Sequence, residues 1–381
     1  MVGGGPGAFI GAVHRMAAAL DGTTELVAGA FSSDPERSAR QGRELDLDPA
    51  RVYGSFVEMA AAEAALPPDR RIHFVTIVTP NHLHYDPARA FLAAGFDVVC
   101  DKPLTTSIED ASALCNLVRE RDAVFALTHN YTGYPMVKEA REWARSGRLG
   151  TVRKVIVEYL QGWLSTPLEE TGQKQAQWRT DPARAGVAGA LGDIGSHAHH
   201  LVRYVTGLEV KAICGDLTTF VEGRRLEDDA SLLLRFDGGA RGTLTASQIC
   251  VGEENGLALR VYGTDASLVW RQQNPETLLF QPAGGPTEVH RRGHPYLSDA
   301  AAGATRLPPG HPEGFIEGLA NIYRAVAGSI AARAAGREPT DAERDYPTVY
   351  DGARGVHFLH RAVEAGRTGG WVDATYDGPT R

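Results

Sequence analysis

Asp193 and His197 stand four residues apart in the stretch Gly189-Ala-Leu-Gly-Asp-Ile-Gly-Ser-His-Ala-His-His200, which runs into the apolar-periodic Leu201-Val202-Arg203-Tyr204-Val205. A helix beginning near Asp193 would put both side chains on one face, within reach of each other. A carboxylate beside an imidazole is a tuned proton acceptor. The same residues also suit a buried helix start, with Asp193 as N-cap and His197 as a satisfied core histidine, and this stretch alone leaves both readings open. Lys102 is the third reactive group. It stands in Asp101-Lys102-Pro103 just past the strand-like run 97–100, where a cation could favour a developing alkoxide, although a lysine after a strand is most often a solvated surface group.

The elements needed to hold such groups are legible in the first third of the chain. Met1-Val2, the glycine-rich residues 3–11 and the run 12–17 read as a strand end, a tight turn and a helix. Glycines let backbone approach a pyrophosphate, and the helix N-terminus offers unpaired N–H groups to it. The spacing Gly5-x-Gly7-x-x-x-Gly11 is a variant of the dinucleotide-binding turn. Residues 25–31 read as a second strand, ending at Ser32 where NAD-binding units carry an acidic residue for the ribose 2′-hydroxyl. With serine there and Arg37 and Arg40 nearby, NADP is admissible. Asp34 could serve NAD or cap the next helix, so both cofactors stay open. Residues 73–79 form a buried parallel strand ending in Pro80-Asn81-His82-Leu83-His84, and polar groups past such a strand line the ligand crevice. A helix over 86–94, a strand over 97–100, a helix over 107–121 and a strand over 124–128 continue the alternation.

The glycine turn, Thr79-Pro80-Asn81-His82, Asp101-Lys102-Pro103 and Gly192-Asp193-Ile-Gly-Ser-His197, in that order, make the chain similar to the Gfo/Idh/MocA oxidoreductases, the family of glucose-fructose oxidoreductase and inositol dehydrogenase. Family members usually carry glutamate before the lysine; this chain has Asp101, one methylene shorter. The resemblance implies an α/β Rossmann domain over 1–129, and an α+β substrate-binding and oligomerisation domain over 130–381 built on a large, mostly antiparallel open sheet. The C-terminal helix packing back on the first domain is a further option. It implies hydride transfer between NAD or NADP and a secondary alcohol or ketone of a sugar, glycoside or cyclitol. His197 would accept the proton, Lys102 would donate to the reacting oxygen, and Asp193 would position substrate hydroxyls and bias His197 toward its charged form, all at an interdomain cleft. The expected cofactor contacts are Gly5, Gly7, Ala8, Phe9, Ile10, Ser32, Ser33, Arg37, Thr79, Pro80, Asn81, His84, Asp101, Lys102, Asn130, Trp178 and Arg179. The expected substrate contacts are Lys102, Tyr131, Trp163, Arg179, Asp193, His197 and His311.

Beyond residue 129 the pattern changes. After a helix over 136–146, strands are expected over 152–160, 211–216, 230–236, 241–249, 257–262, 268–270 and 277–280, and short turns such as Asp237-Gly238-Gly239 argue antiparallel pairing. Helices cover one face; the resemblance gives the other to a homo-oligomer, a dimer or tetramer. The long connection 161–192 carries Trp163, Gln177, Trp178 and Arg179. Tryptophan faces stack on sugar C–H faces and arginine donates to hydroxyls, so Trp178-Arg179 suits a substrate clamp, or equally a loop anchor. His311 precedes a helix over 315–335 and could face the cleft or be structural. A last amphipathic helix over 350–366 precedes Trp371-Val372, which should pack back onto the body.

At 381 residues, with 43% hydrophobic content, the chain can bury two cores. No 18-residue apolar run and no leader pattern is present, so a cytoplasmic protein is expected. Cys100, Cys115, Cys214 and Cys250 lack metal spacing and read as reduced thiols. The net charge of −8 is spread without a basic stripe, which argues against a nucleic-acid partner. No metal is expected, because His197, His199 and His200 diverge around a helix. Two competing readings are a redox-assisted glycosidase with tightly held NAD, and a non-catalytic nucleotide-binding regulator. Lysine, aspartate and histidine together argue against the regulator.

Overall fold

The computed structural model describes residues 1–380. The chain divides into two compact units, Met1–Asn130 with Leu319–Ala353 and the chain end from Pro379, and Tyr131–Gly318 with Arg354–Gly378.

In the first unit the order is β1 (Val2–Gly3), α1 (Phe9–Ala19), α2 (Pro35–Glu44), α3 (Phe56–Ala65), β2 (Phe74–Val78), α4 (Tyr85–Ala93), β3 (Asp97–Cys100), α5 (Ile108–Arg121) and β4 (Phe125–Leu127). The strands pair in parallel in the order β1-β2-β3-β4. Val75, Ile77, Val98 and Val99 are fully buried, which is why these strands are continuous apolar runs without alternation. The glycine turn packs as closely as its composition allows. A Cβ on Gly11 would lie 2.4 Å from Gly4 Cα, so α1 can begin against the turn only without a side chain at that position. The segment Leu319–Ala353 closes β4: Pro347 O accepts from Leu127 N at 2.7 Å, and Arg333 pairs with buried Asp97.

The second unit runs α6 (Pro135–Arg145), β5 (Lys154–Leu160), α7 (Lys174–Arg179), α8 (Pro182–Ala185), α9 (Ser196–Thr206), β6 (Val210–Thr218), β7 (Asp229–Phe236), β8 (Arg241–Ser247), β9 (Gly256–Tyr262), β10 (Ala266–Arg271), β11 (Thr277–Pro282), β12 (Glu288–Arg291) and α10 (Asp299–Gly303). The chain continues through α11 (Phe315–Ala334) and α12 (Val349–Thr368) to β13 (Val372–Asp373). Nine strands form one sheet in the order β12-β11-β10-β9-β5-β8-β7-β6-β13, antiparallel except for the parallel pair β5–β8. Burial alternates along the strands. Val155, Val157, Leu232, Leu244, Leu259 and Trp270 face a core with Val137 and Trp143 of α6, Leu201 and Val202 of α9, and Phe358 of α12. Each such side chain contributes about 1.5–3 kcal/mol by leaving water. On the other face one cross-strand row runs Cys214, Leu233, Thr243, Ile156, Arg260, Val269, Leu279 and Val289. None of these is buried, and Leu233 and Val289 are each 51% exposed.

Several expectations are corrected. Residues 25–31 are extended but make only single bridges, Val2 with Ala30 and Gly29 with Val52, because the partner segments are too short for a ladder. The connection 161–192 is not a bare loop: it folds into α7, α8 and a 3-10 turn at Leu168–Thr171. Strands β12 and β13 were not foreseen. β13 pairs with β6, and Trp371 sits under the Arg235 guanidinium at 3.9 Å. No helix among the described residues is long and apolar enough to cross a membrane.

Gly11→Ala should therefore destabilise the first unit by about 1–3 kcal/mol, because the methyl must displace backbone. Gly303→Ala, which meets nothing within 4 Å, should leave stability near wild type. Urea unfolding of the two variants checks this; equal midpoints would remove the close approach as a constraint.

Candidate active site

The helix carrying Asp193 and His197 does not begin at Asp193. It opens with a π turn, Leu191–Gly195, that passes into α9, so Asp193 lies inside the helix and is not its N-cap. Glu227, 36 residues downstream of Leu191, supplies the cap. Its Oε1 accepts from Gly189 N at 2.8 Å and Leu191 N at 3.0 Å, and its main-chain oxygen accepts from Ala190 N at 3.0 Å. An inserted residue of this kind inside a helix changes which way the first turn aims its side chains.

Asp193 Oδ2 accepts from Arg179 Nε and from Gln248 Nε2, each at 2.9 Å. Arg179 lies 4.1 Å from the Trp178 ring centre and 5.8 Å from that of Trp163, and donates to Gln175 Oε1 at 2.7 Å. Gln161 Oε1 accepts from Trp163 Nε1 at 3.0 Å and Gln248 Nε2 at 3.3 Å, while its amide donates to Asn255 Oδ1 at 3.0 Å. Tyr159 donates to Asn255 Oδ1 and meets the Tyr131 hydroxyl, each at 2.5 Å. Tyr131 stands edge-on to the His197 ring at 5.0 Å, with Tyr159 at 6.3 Å. Burial pushes both phenols up, so they remain neutral hydrogen-bonding groups beside the imidazole.

This array has a topological cause. Leu160 of β5 is in register with Ser247 of β8 and Gly256 of β9, so Gln161, Gln248 and Asn255 emerge together at one sheet edge. Sequence reading missed Tyr159, Gln161, Gln175, Glu227, Gln248 and Asn255. Polar residues at strand ends were the available signal, but they point to one site only when the strand order is known. His199 stacks on Phe358 at 4.0 Å and is a packing residue; His200 is buried beside Tyr204. His311 is exposed at its side chain and holds the body through its carbonyl, which accepts from Arg292.

In the first unit, Asp101 Oδ1 accepts from Lys102 N at 2.8 Å and from the Thr128 hydroxyl at 3.0 Å, so the shorter acid pins the turn bearing Lys102 to the neighbouring strand end. His84 is fully buried between Pro103 O, at 2.7 Å from Nδ1, and Thr79 O, at 2.9 Å from Nε2. It ties these two strand ends together. Burial lowers its proton affinity, so the neutral ring donates to one carbonyl at a time. Asp34 Oδ1 caps α2 through Glu36 N at 3.0 Å and Arg37 N at 3.3 Å, while Ser32 Oγ accepts from Asp34 N at 3.1 Å. Ser33 and Arg37 are exposed beside it.

These residues fit a dinucleotide. Gly7, at φ +79°, leaves its Cβ position open, and α1 starts at Phe9 behind Ala8 with no side-chain cap on its first N–H groups. Thr79 Cγ2 lies 3.0 Å from a Cβ placed on Gly3, which sets Thr79-Pro80-Asn81 beside the turn. Asn130 Nδ2 is buried with no acceptor among the described residues. No group of three or more His, Cys, Asp or Glu among the described residues could hold a metal ion.

Burial is the largest influence on Glu227 and pushes its carboxyl from 4.5 up to about 7, against hydrogen bonds from Gly189 and Leu191 that favour ionisation. The unfolded carboxyl ionises first. Its contribution to stability is therefore complete below pH 4.5 and declines as pH rises through about 7. Relative to Glu227→Gln, the wild type should lose up to about 3 kcal/mol across that window. Paired urea titrations from pH 5 to pH 8 check this; parallel curves would exclude Glu227 as the source.

Known proteins align with both units. A model described as "Oxidoreductase family, NAD-binding Rossmann fold" matches residues 1–129, and one described as "GFO/IDH/MocA C-terminal domain" matches residues 137–269. An oxidoreductase from Sinorhizobium meliloti is 47% identical with a TM-score of 0.88, each chain covered to 98%. An inositol dehydrogenase homolog from Azotobacter vinelandii, complexed with NADH and myo-inositol, is 35% identical with a TM-score of 0.90, covering 98% of this chain and 96% of that one. Levoglucosan dehydrogenase from Pseudarthrobacter phenanthrenivorans is 27% identical over 98% of this chain and 97% of its own. The glycine turn, the capped strand ends and the Asp193–His197 helix are thus those of a GFO/IDH/MocA oxidoreductase with an NAD-binding Rossmann domain, the family to which this chain belongs.

Proposed function

We propose that the protein oxidises a secondary alcohol of a polyhydroxylated ring, a sugar, glycoside or cyclitol, with NAD or NADP as acceptor. The observation that carries this reading is the array around Asp193. Arg179, Gln248, Gln161 and Asn255 present paired donors and acceptors beside the indoles of Trp163 and Trp178, which suits a ring with hydroxyls at its edge and C–H groups on its faces. The myo-inositol complex of the Azotobacter homolog and the activity named for the levoglucosan dehydrogenase support the same substrate class.

In this mechanism His197 accepts the hydroxyl proton while its ring is held by Tyr131 and Tyr159. Asp193 orients substrate hydroxyls and favours the imidazolium that forms. Lys102 donates to the reacting oxygen as negative charge develops there. The glycine turn, Ser32, Ser33, Arg37, Thr79, Pro80, Asn81, Asp101 and Asn130 hold the dinucleotide, whose nicotinamide supplies the two-electron acceptor. Trp178, Arg179 and His311 complete the ligand contacts. The unburied row across the nine-stranded sheet, which includes the exposed Leu233, is the surface we assign to a second copy of the chain. Nicotinamide dependence and four free cysteines are consistent with the cytoplasm.

His197→Ala and Lys102→Ala should each lower kcat by about 10²–10⁴-fold, with thermal stability retained. A panel of pyranoses, glycosides and inositols with each cofactor, followed as net nicotinamide reduction, provides the assay. Near-native turnover in either variant would overturn the assignment, and turnover without net reduction would favour the redox-assisted glycosidase. Leu233→Arg should shift the elution volume toward a smaller species; an unchanged volume would reject the sheet as the interface.

A further inference from the structure

We infer that Glu227 is a positioning residue for the reaction, fixing the π turn that aims Asp193 and His197. The inference rests on the catalytic reading of those two residues given above.

Helix N-termini leave their first N–H groups without intrahelical partners, and a residue from the same segment usually satisfies one of them. Here a single distant residue takes three in succession. Gly189 N and Leu191 N donate to the Glu227 carboxylate, and Ala190 N donates to its main-chain oxygen. A Cβ on Gly189 would stand 2.2 Å from Glu227 O, so this approach requires glycine. The grip is two-sided, and therefore sets the rotation of the turn as well as its start.

The neighbouring residue constrains the same aspartate from the other direction. Asp228 O accepts from Gln248 N at 2.9 Å, and the Gln248 side chain donates to Asp193 Oδ2. The Asp228 carboxylate in turn accepts from Phe220 N at 2.8 Å, Val221 N at 3.0 Å and Arg224 at 3.2 Å. Arg224, buried to 2% at its side chain, also donates to Leu164 O at 2.7 Å and to Glu169 at 2.8 Å. Residues 224–228 thus hold both the helix entry and the connection that delivers Trp163 and Arg179. Glu227 touches none of the reacting groups in this arrangement; it acts through Asp193 and His197. A serine or asparagine at the entry itself would cap the helix at less cost in desolvation, but would not reach three successive donors as the buried Glu227 does.

Glu227→Ala removes the acceptor, whereas Glu227→Gln keeps a carbonyl oxygen where Oε1 now lies. Of myo-inositol and levoglucosan, whichever the wild type oxidises is the substrate. Glu227→Ala should lower kcat about 10²-fold per folded molecule with little change in KM, since misplacement of about 1 Å carries such a cost. Glu227→Gln should restore most of it, and NADH binding followed by fluorescence should be unchanged in both. In parallel, hydrogen exchange of residues 189–197 should accelerate in Glu227→Ala and not in Glu227→Gln. Wild-type kcat in a folded Glu227→Ala, unaltered exchange at 189–197, or a loss of NADH binding and of exchange protection throughout the chain would each overturn the inference. If His197→Ala abolishes turnover while Glu227→Ala does not, the positioning role alone fails. If His197→Ala retains turnover, the catalytic reading fails first.

Discussion

The parallel pairing of β5 with β8 is the constraint on which the second unit's chemistry depends. All other neighbours in the nine-stranded sheet run antiparallel, and in such a ladder the ends of adjacent strands alternate between the two edges. The one parallel pair puts two carboxyl ends side by side, and antiparallel β9 then adds its first residues to the same edge. Gln161, Gln248 and Asn255 become neighbours for that reason alone. The helix bearing Asp193 and His197 packs its apolar residues on the sheet's inner face, so its polar entry meets this edge. A hydrogen-bonded array of this density, with buried tyrosine hydroxyls and a carboxylate shared by an arginine and a glutamine, is held rigid because each lost partner leaves a desolvated polar group.

The first unit solves the complementary problem with backbone. Its parallel strands are buried on both faces and end in short polar turns, and side chains tie those turns to each other. His84 spans the carbonyls of Thr79 and Pro103, and Asp101 joins the Lys102 amide to Thr128. Aspartate in place of the family's usual glutamate is adequate for this, since both acceptor contacts lie within its shorter reach. Asp101 thereby supports the residue that follows it.

Both units place a costly group behind a useful one. Glu227 is a buried carboxyl whose proton affinity is raised by its surroundings, and Gly11 is a residue whose replacement would collide with the backbone of Gly4. Neither is reactive toward a substrate. Each fixes the start of a helix, one through a carboxylate and the other through the absence of a side chain.

What the sequence determined by itself is local. Hydrophobic periodicity and apolar runs located most of the expected strands and helices to within a residue or two, and the ordered motifs led to the family, because these signals depend on neighbours along the chain. The run 25–31 shows the limit: its residues favour a strand, but a ladder needs a partner of equal length, and Val2–Gly3 is too short. Asp193 as N-cap was overturned by a residue 34 positions away, since Glu227 claims the helix's first donors. Strand order, the parallel register at Leu160 and Ser247, and the cap from Glu227 are all pairings between distant segments. Only the tertiary structure decided them, because backbone hydrogen bonds carry no side-chain code that names their partner.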